Sequence, residues 1–214
     1  MKIAMIGAGR MGQALAGLFA EAGHEVFLSN SRGPESLAGI VTELGPRCSA
    51  ATVADAVKAS DVVFLATPWG KTAAAAAAVN DWSGRIVVDT TNNRSAPGPA
   101  GLIDIGDRVS SEIVADYLPG ARVVKAFNTT PIPVLVAALG AKAGEKNAIY
   151  LAGDDPDAKA VVAELVAGVN AVAIDTGDLR TGGYRQGMSG PLAGSMEMLT
   201  PAEAHRKLAQ LAGN

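Results

Sequence analysis

The chain has 214 residues, 49% of them hydrophobic and 18% charged, with a formal net charge of −3. That length and apolar content are enough to bury roughly 70% of the unfolded surface in one core. The slightly acidic balance without a basic run argues against a nucleic-acid or membrane-surface partner, and the lone Cys48 excludes an internal disulfide. With no histidine near it in sequence, Cys48 reads as a small buried apolar residue rather than a reactive thiol. The first strand starts at the N-terminus without a basic region, apolar segment and cleavage site before it, so a reducing cytoplasm is the expected location.

In chain order, the apolar run Lys2-Ile3-Ala4-Met5-Ile6 predicts a strand, and Met11 to Ala22 a helix capped by Gly23. A strand over 25–29 follows, then a helix over 34–44 with Pro34 in its first turn and a short strand near Cys48. Thr52 and Asp55 have capping-box spacing for a helix over 53–59, and Asp61-Val62-Val63-Phe64-Leu65-Ala66 reads as a buried central strand. Lys71 to Val79 is alanine-rich and helical, the small side chains allowing close packing on a sheet. Strand 85–89, helix 110–118, strand 122–127, helix 131–140, strand 148–152, helix 156–167 and strand 171–174 continue the alternation. It predicts an α/β fold, a doubly wound, mainly parallel Rossmann-type sheet of about eight strands.

Two stretches break the rhythm. Residues 92–107 form a loop longer than a compact connection needs, following a strand whose carboxyl end belongs at a ligand crevice. Residues 177–199 lose clean periodicity and carry Met188, Met196 and Met198, before Thr200-Pro201-Ala202-Glu203 caps a last helix to Leu211. The chain reads as a single domain, a Rossmann-type unit over 1–180 with a C-terminal lid or interface segment of the same domain over 181–214.

Function is written most plainly in Gly7-Ala8-Gly9-Arg10-Met11-Gly12, set between the first strand and the first helix. Gly7 serves the tight turn, Gly9 lets backbone approach a pyrophosphate, and Gly12 lets helix pack on strand, with the anion on the helix N-terminus. At the end of the second strand, where an NAD-binding protein presents an acidic residue to the ribose, stand Asn30, Ser31 and Arg32. Their amide, hydroxyl and guanidinium are donors for a 2′-phosphate, so the cofactor is expected to be NADP(H). Asp154-Asp155-Pro156 reads as a helix N-terminus, without the further ligands a metal needs, and Asp104 and Asp107 read as solvated loop residues.

Taken with Ala66-Thr67-Pro68-Trp69, Ser111-Glu112-Ile113-Val114-Ala115, Val124-Lys125-Ala126-Phe127-Asn128-Thr129-Thr130-Pro131 and Ala152-Gly153-Asp154-Asp155, these motifs resemble the NADPH-dependent coenzyme F420 reductases and their broader NADP-binding relatives, over most of residues 1–179. The resemblance implies that Ser31 and Arg32 hold the 2′-phosphate and that Thr67, Pro68 and Trp69 line the nicotinamide side. It also implies that Ala126 and Asn128 adjoin the cofactor, and that Asn128, Thr129, Thr130 and Pro131 sit where nicotinamide and deazaflavin meet. The family's Gly-Pro-Leu and following arginine read here as Gly177-Asp178-Leu179, with Gly183 at the arginine's place and Arg185 two residues later.

Hydride transfer between stacked rings depends mainly on positioning. The chain has no Tyr-x-x-x-Lys pair for ketone protonation and no long helical second domain. The catalytic candidates are Asn128, Thr129 and Thr130, with Trp69 as an apolar wall and Thr90-Thr91-Asn92 converging on the same crevice. Three activities stand open. The first is hydride exchange between NADP(H) and a deazaflavin (F420) or flavin, FMN or FAD. The second is an NADPH-linked reductase of another small molecule, or of a ferric complex through bound flavin. The third is an NADP-binding sensor without turnover. A homodimer is expected, because the Met-rich tail and the helix over 201–211 have little obvious place to pack within one domain.

Overall fold

The computed structural model describes residues 1–96, 99–140 and 144–212. One eight-stranded sheet runs through it. The strands are β1 (Lys2–Ile6), β2 (Glu25–Ser29), β3 (Cys48–Ala50), β4 (Val62–Leu65), β5 (Ile86–Asp89), β6 (Arg122–Ala126), β7 (Asn147–Gly153) and β8 (Ala171–Asp175). Their order is β3-β2-β1-β4-β5-β6-β7-β8, and every neighbouring pair is parallel except β6 with β7. The chain therefore winds outward from β1 in both directions. Beside β1 the strand order reverses, and there the connections leave a crevice at the carboxyl ends.

Helices α1 (Arg10–Glu21), α2 (Ala38–Leu44), α3 (Val53–Ala59), α4 (Trp69–Ala76), α5 (Ser110–Asp116), α6 (Ile132–Ala138), α7 (Pro156–Gly168), α8 (Thr181–Gln186) and α9 (Pro201–Ala212) complete the elements. Because β4 and β5 are buried at every position, both faces of the sheet must be covered. On one face Leu15, Phe19, Leu135, Val162 and Val166 from α1, α6 and α7 pack with Val62, Phe64 and Val124. On the other, Ala56, Val57, Ala76 and Val114 from α3, α4 and α5 pack with Val63, Leu65 and Val123. Among the described residues no helix is long and apolar enough to cross a membrane.

Several expected elements shift. The helix expected over 34–44 is a 3₁₀ turn at Pro34–Leu37 followed by α2, and the alanine-rich helix starts at Trp69 and ends at Ala76. Within the irregular stretch lies α8, hidden in the sequence by Gly182 and Gly183, which are poor helix formers. A methyl group on Gly183 would stand 2.0 Å from the Ser111 hydroxyl and one on Gly182 2.8 Å from Ala152 Cβ, so close packing sets both residues. No arginine fits at Gly183.

The last helix was expected to lack a packing partner within one domain. Instead α9 lies over β7 and β8, where Ala204, Leu208 and Leu211 join Ala148, Tyr150, Ile174 and Leu192 in a third cluster. The reason is that α7 covers one face of β7 and β8, through Ile149 and Leu151, and leaves their other face, Ala148, Tyr150 and Ile174, apolar and open for the tail to cover. Residues 213 and 214, and 97 and 98 of the long loop, lie outside the described residues.

Candidate functional site

The crevice beside β1 is a cleft of about 410 Å³. Its floor is the turn Gly7-Ala8-Gly9 and its sides are Asn30, Ser31 and Arg32 after β2, Ala66, Thr67 and Pro68 after β4, and the exposed flank of α4. Gly7 adopts φ +111°, and a methyl group on Gly12 would stand 1.8 Å from the Gly7 carbonyl oxygen, so the turn and α1 meet backbone to backbone. Around Gly9 nothing lies within 4 Å of an added methyl, which leaves room for a ligand against the chain. The first turn of α1 carries no acidic side chain and Gly9 contributes no capping group, so the helix N-terminus presents free N–H groups and positive potential to an anion. Gln13 Nε2 donates to the Ala8 carbonyl at 2.8 Å and braces the turn from behind. Arg10 is exposed, whereas Met11 turns inward onto the core.

After β2, Asn30 shapes the chain rather than facing outward alone. Its Oδ1 accepts from the Arg32 N–H at 2.8 Å and its Nδ2 donates to Ser36 Oγ at 2.9 Å. That Asx turn holds Ser31 and Arg32 at the cleft, both exposed. Among the described residues no carboxylate pairs with Arg32. Lys71, in the first turn of α4, also lines the cleft and adds a second cation. Sequence reasoning passed over it, although its place three residues after Pro68 is the same strand-to-helix signal that marks Gly7. Ala74, Ala75 and Ala78 form the apolar wall, their small side chains keeping the cleft open.

The remaining expected residues lie elsewhere. Trp69 is absent from the cleft lining and packs on the second cluster. Ala126 is fully buried at the end of β6. Thr90 Oγ1 donates to the Leu65 carbonyl at 3.0 Å and Thr91 Oγ1 to Asp89 Oδ1 at 2.6 Å, so these hydroxyls satisfy strand ends. Thr129 and Thr130 border a cavity of only about 10 Å³ against Tyr150, Ser195 and Leu199. Asn128 is 7% exposed and bridges two elements: its Nδ2 donates to the Gln186 carbonyl at 2.8 Å and to Asn92 Oδ1 at 3.1 Å, while Asn92 Nδ2 donates to the Asn128 carbonyl at 3.0 Å. Asn128 Oδ1 is left buried without a partner. Just before it, Phe127 holds φ +63° with its ring packed against Phe19 and Phe64, a left-handed conformation costing about 1–2 kcal/mol in an L-residue.

Beside Asn93 and Gly187, the residues that follow Asn92 and Gln186, a second cavity of about 280 Å³ opens. Asn93, Ile105, Arg108 and Ser110 on one side and Tyr184 and Met188 on the other line it. Both irregular stretches of the sequence therefore meet here. The long loop is pinned by Ile103 N donating to the Asn93 carbonyl at 2.8 Å and Asn93 Nδ2 donating to the Ile103 carbonyl at 2.8 Å. Ser110 Oγ is buried in this wall without a partner. Residues 181–212 contribute nothing to the lining of the first cleft. Asp154 and Asp155 sit away from both, accepting from Leu179 N–H and Ala158 N–H as turn and helix caps.

Residues 2–93 match the family model of NADP oxidoreductases, coenzyme F420-dependent. No curated protein matches the chain. Among solved structures, the chain is similar to the hypothetical protein SMa0349 of Sinorhizobium meliloti, with 39% identity and a TM-score of 0.84 over 94% of this chain and 95% of that one. It is also similar to a protein of Arthrobacter sp. FB24 proposed to be an F420-dependent NADP reductase, with 30% identity and a TM-score of 0.72 over 84% of this chain and 86% of that one. A reductive aminase of Aspergillus terreus, solved with NADPH and ethyl levulinate, shares the fold at 21% identity and a TM-score of 0.59 over 99% of this chain and 60% of that one. The chain belongs to the coenzyme F420-dependent NADP oxidoreductase family and is an NADP-dependent oxidoreductase.

Proposed function

We propose that the protein passes hydride between NADP(H) and a deazaflavin such as coenzyme F420, or a flavin such as FMN or FAD, bound in the second cavity. The observation that carries this reading is the open cleft with a glycine floor at one end and the carboxylate-free Arg32 at the other. The residues fit the cofactor: Gly9 leaves space against the backbone, and Asn128 Oδ1 is an orphaned acceptor matched to an amide N–H. The N–H groups of Arg10, Met11 and Gly12 would hold the pyrophosphate, and Ser31, Arg32 and Lys71 the 2′-phosphate. Thr67 and Pro68 would border the ribose on the nicotinamide side, with Asn92 and Asn128 orienting the carboxamide. NADPH supplies the hydride when bound. The protein's own contribution is alignment, and the accompanying proton comes from solvent.

The second cavity supports the acceptor's place because Asn93 and Gly187, the chain neighbours of Asn92 and Gln186, line it and because it mixes apolar walls with the unpartnered Ser110 hydroxyl. A homodimer is part of the same proposal, now through the exposed Met196 and the shallow apolar groove it forms with Pro133, Val134 and Ala137. A single-chain mass by light scattering would count against it.

Mixing the protein with NADPH and oxidised F420, then with FMN, and following each chromophore tests the function. Bleaching in step with NADPH loss is expected for one of the two. NADPH consumed only when flavin and a ferric complex are both present would point to the ferric alternative. No consumption with any acceptor would point to a sensor.

A further inference from the structure

We propose that the buried pair Lys125 and Asp89 is a positioning device that holds the nicotinamide end of the site in register. It is separate from the residues that touch the cofactor in the reading above, on which it rests. Both side chains are completely buried, directly opposite each other on the parallel strands β5 and β6. Lys125 Nζ donates to Asp89 Oδ2 at 2.8 Å and to the Thr91 carbonyl at 2.9 Å. Asp89 Oδ1 accepts from the Thr91 N–H at 2.8 Å and from the Thr91 hydroxyl at 2.6 Å. Every polar group of Thr91 is thus held by the pair. On its other side, Thr90 is tied through its N–H and hydroxyl to the Leu65 carbonyl at the end of β4.

The turn Thr90-Thr91-Asn92 is therefore fixed between β4 and β6, and the next side chain along, Asn92, makes the reciprocal contacts with Asn128. A buried ion pair is a poor device for stability, since an apolar pair of like volume is often as stable or more so. Its directed hydrogen bonds to one turn explain it better. They set where Asn92 stands, and through it the orientation of Asn128 above the left-handed Phe127. Groups that orient site residues from behind commonly change ligand affinity or activity by about 10–100-fold when removed.

The test compares NADPH with 2′,5′-ADP, which carries the adenosine and 2′-phosphate but no nicotinamide, so no acceptor needs to be known. Because removing one charge alone risks unfolding, the variants are the charge-neutral doubles Lys125→Met/Asp89→Leu and Lys125→Met/Asp89→Asn. In the wild-type protein NADPH is expected to bind about tenfold tighter than 2′,5′-ADP, since the nicotinamide half is seated. In the Leu double that advantage is expected to shrink to within about threefold while 2′,5′-ADP affinity stays near wild type, and the Asn double, which keeps an acceptor for Thr91, recovers part of it. Parallel weakening of both ligands, or an advantage retained in the Leu double, would overturn the positioning role alone. A wild-type protein with no preference for NADPH over 2′,5′-ADP would overturn the seat at Asn92 and Asn128 as well.

Discussion

The two sides of the crevice treat polar side chains in opposite ways. After β1, β2 and β4, the donors Ser31, Arg32 and Lys71 stand exposed around an open cleft. At the ends of β5 and β6, Asp89, Thr90, Thr91, Lys125, Asn128 and Thr129 are all buried, and Asp89, Thr91 and Lys125 bond to one another. The first side is built to be completed by an anionic ligand. The second is held by the protein itself except at Asn128 Oδ1, which lets it present a fixed geometry at little reorganisation cost when a ring is seated. Affinity for the cofactor should therefore be set on the first side, and alignment of the reacting ring on the second.

The sharpest break in that division comes at the floor shared by both sides. Gly12→Val puts a side chain into the Gly7 carbonyl, and the expected result is a loss of at least about 4 kcal/mol in stability, or about a hundredfold in NADPH affinity in whatever folds. Thermal melts and NADPH titration read both quantities; near wild-type values would mean that α1 and the turn are not in contact. Next is Lys125→Met alone. It strands the Asp89 carboxylate in the interior, and the expected cost is about 3–5 kcal/mol, a fall of roughly 10 °C in melting temperature. The Asn double, which keeps an acceptor for the buried Thr91 N–H and hydroxyl, should recover part of it, and a single variant as stable as wild type would show that the pair is not buried as described.

Trp69→Ala separates packing from binding. The indole is half-buried on the second cluster, so about 2 kcal/mol of stability should be lost with NADPH affinity unchanged. An affinity loss without a change in melting temperature would return Trp69 to the site. Cys48 carries the smallest effect. Burial pushes its thiol above the usual range, so iodoacetamide should modify the folded protein at least about tenfold more slowly than the urea-unfolded chain. Equal rates would place Cys48 at the surface.

The same division explains what could be read from the residues. Gly7 to Gly12, the carboxylate-free end at Asn30 to Arg32 and the strand order of an α/β sheet depend on local spacing, and local spacing is visible along a chain. The buried side was less legible. Periodicity marks Lys125 as a strand residue but does not reveal that it meets Asp89, 36 positions away. Thr90 and Thr91 look like site hydroxyls until their acceptors, Leu65 and Asp89, are seen. The helix α8 was hidden because its glycines answer to Ser111, Thr176 and Ala152 rather than to helix propensity. Lys71 stood in an alanine-rich run that was read for packing alone.

The central claim is that the exposed side of the crevice is an NADP site whose selectivity rests on Arg32. Calorimetric titration of wild-type protein and Arg32→Ala with NADPH and with NADH tests it most directly. NADPH is expected to bind wild type far more tightly than NADH, and Arg32→Ala to lose about 1.5–3 kcal/mol for NADPH, roughly 10- to 100-fold, with NADH nearly untouched. Equal wild-type affinities for the two dinucleotides, or an NADPH affinity indifferent to Arg32, would contradict it.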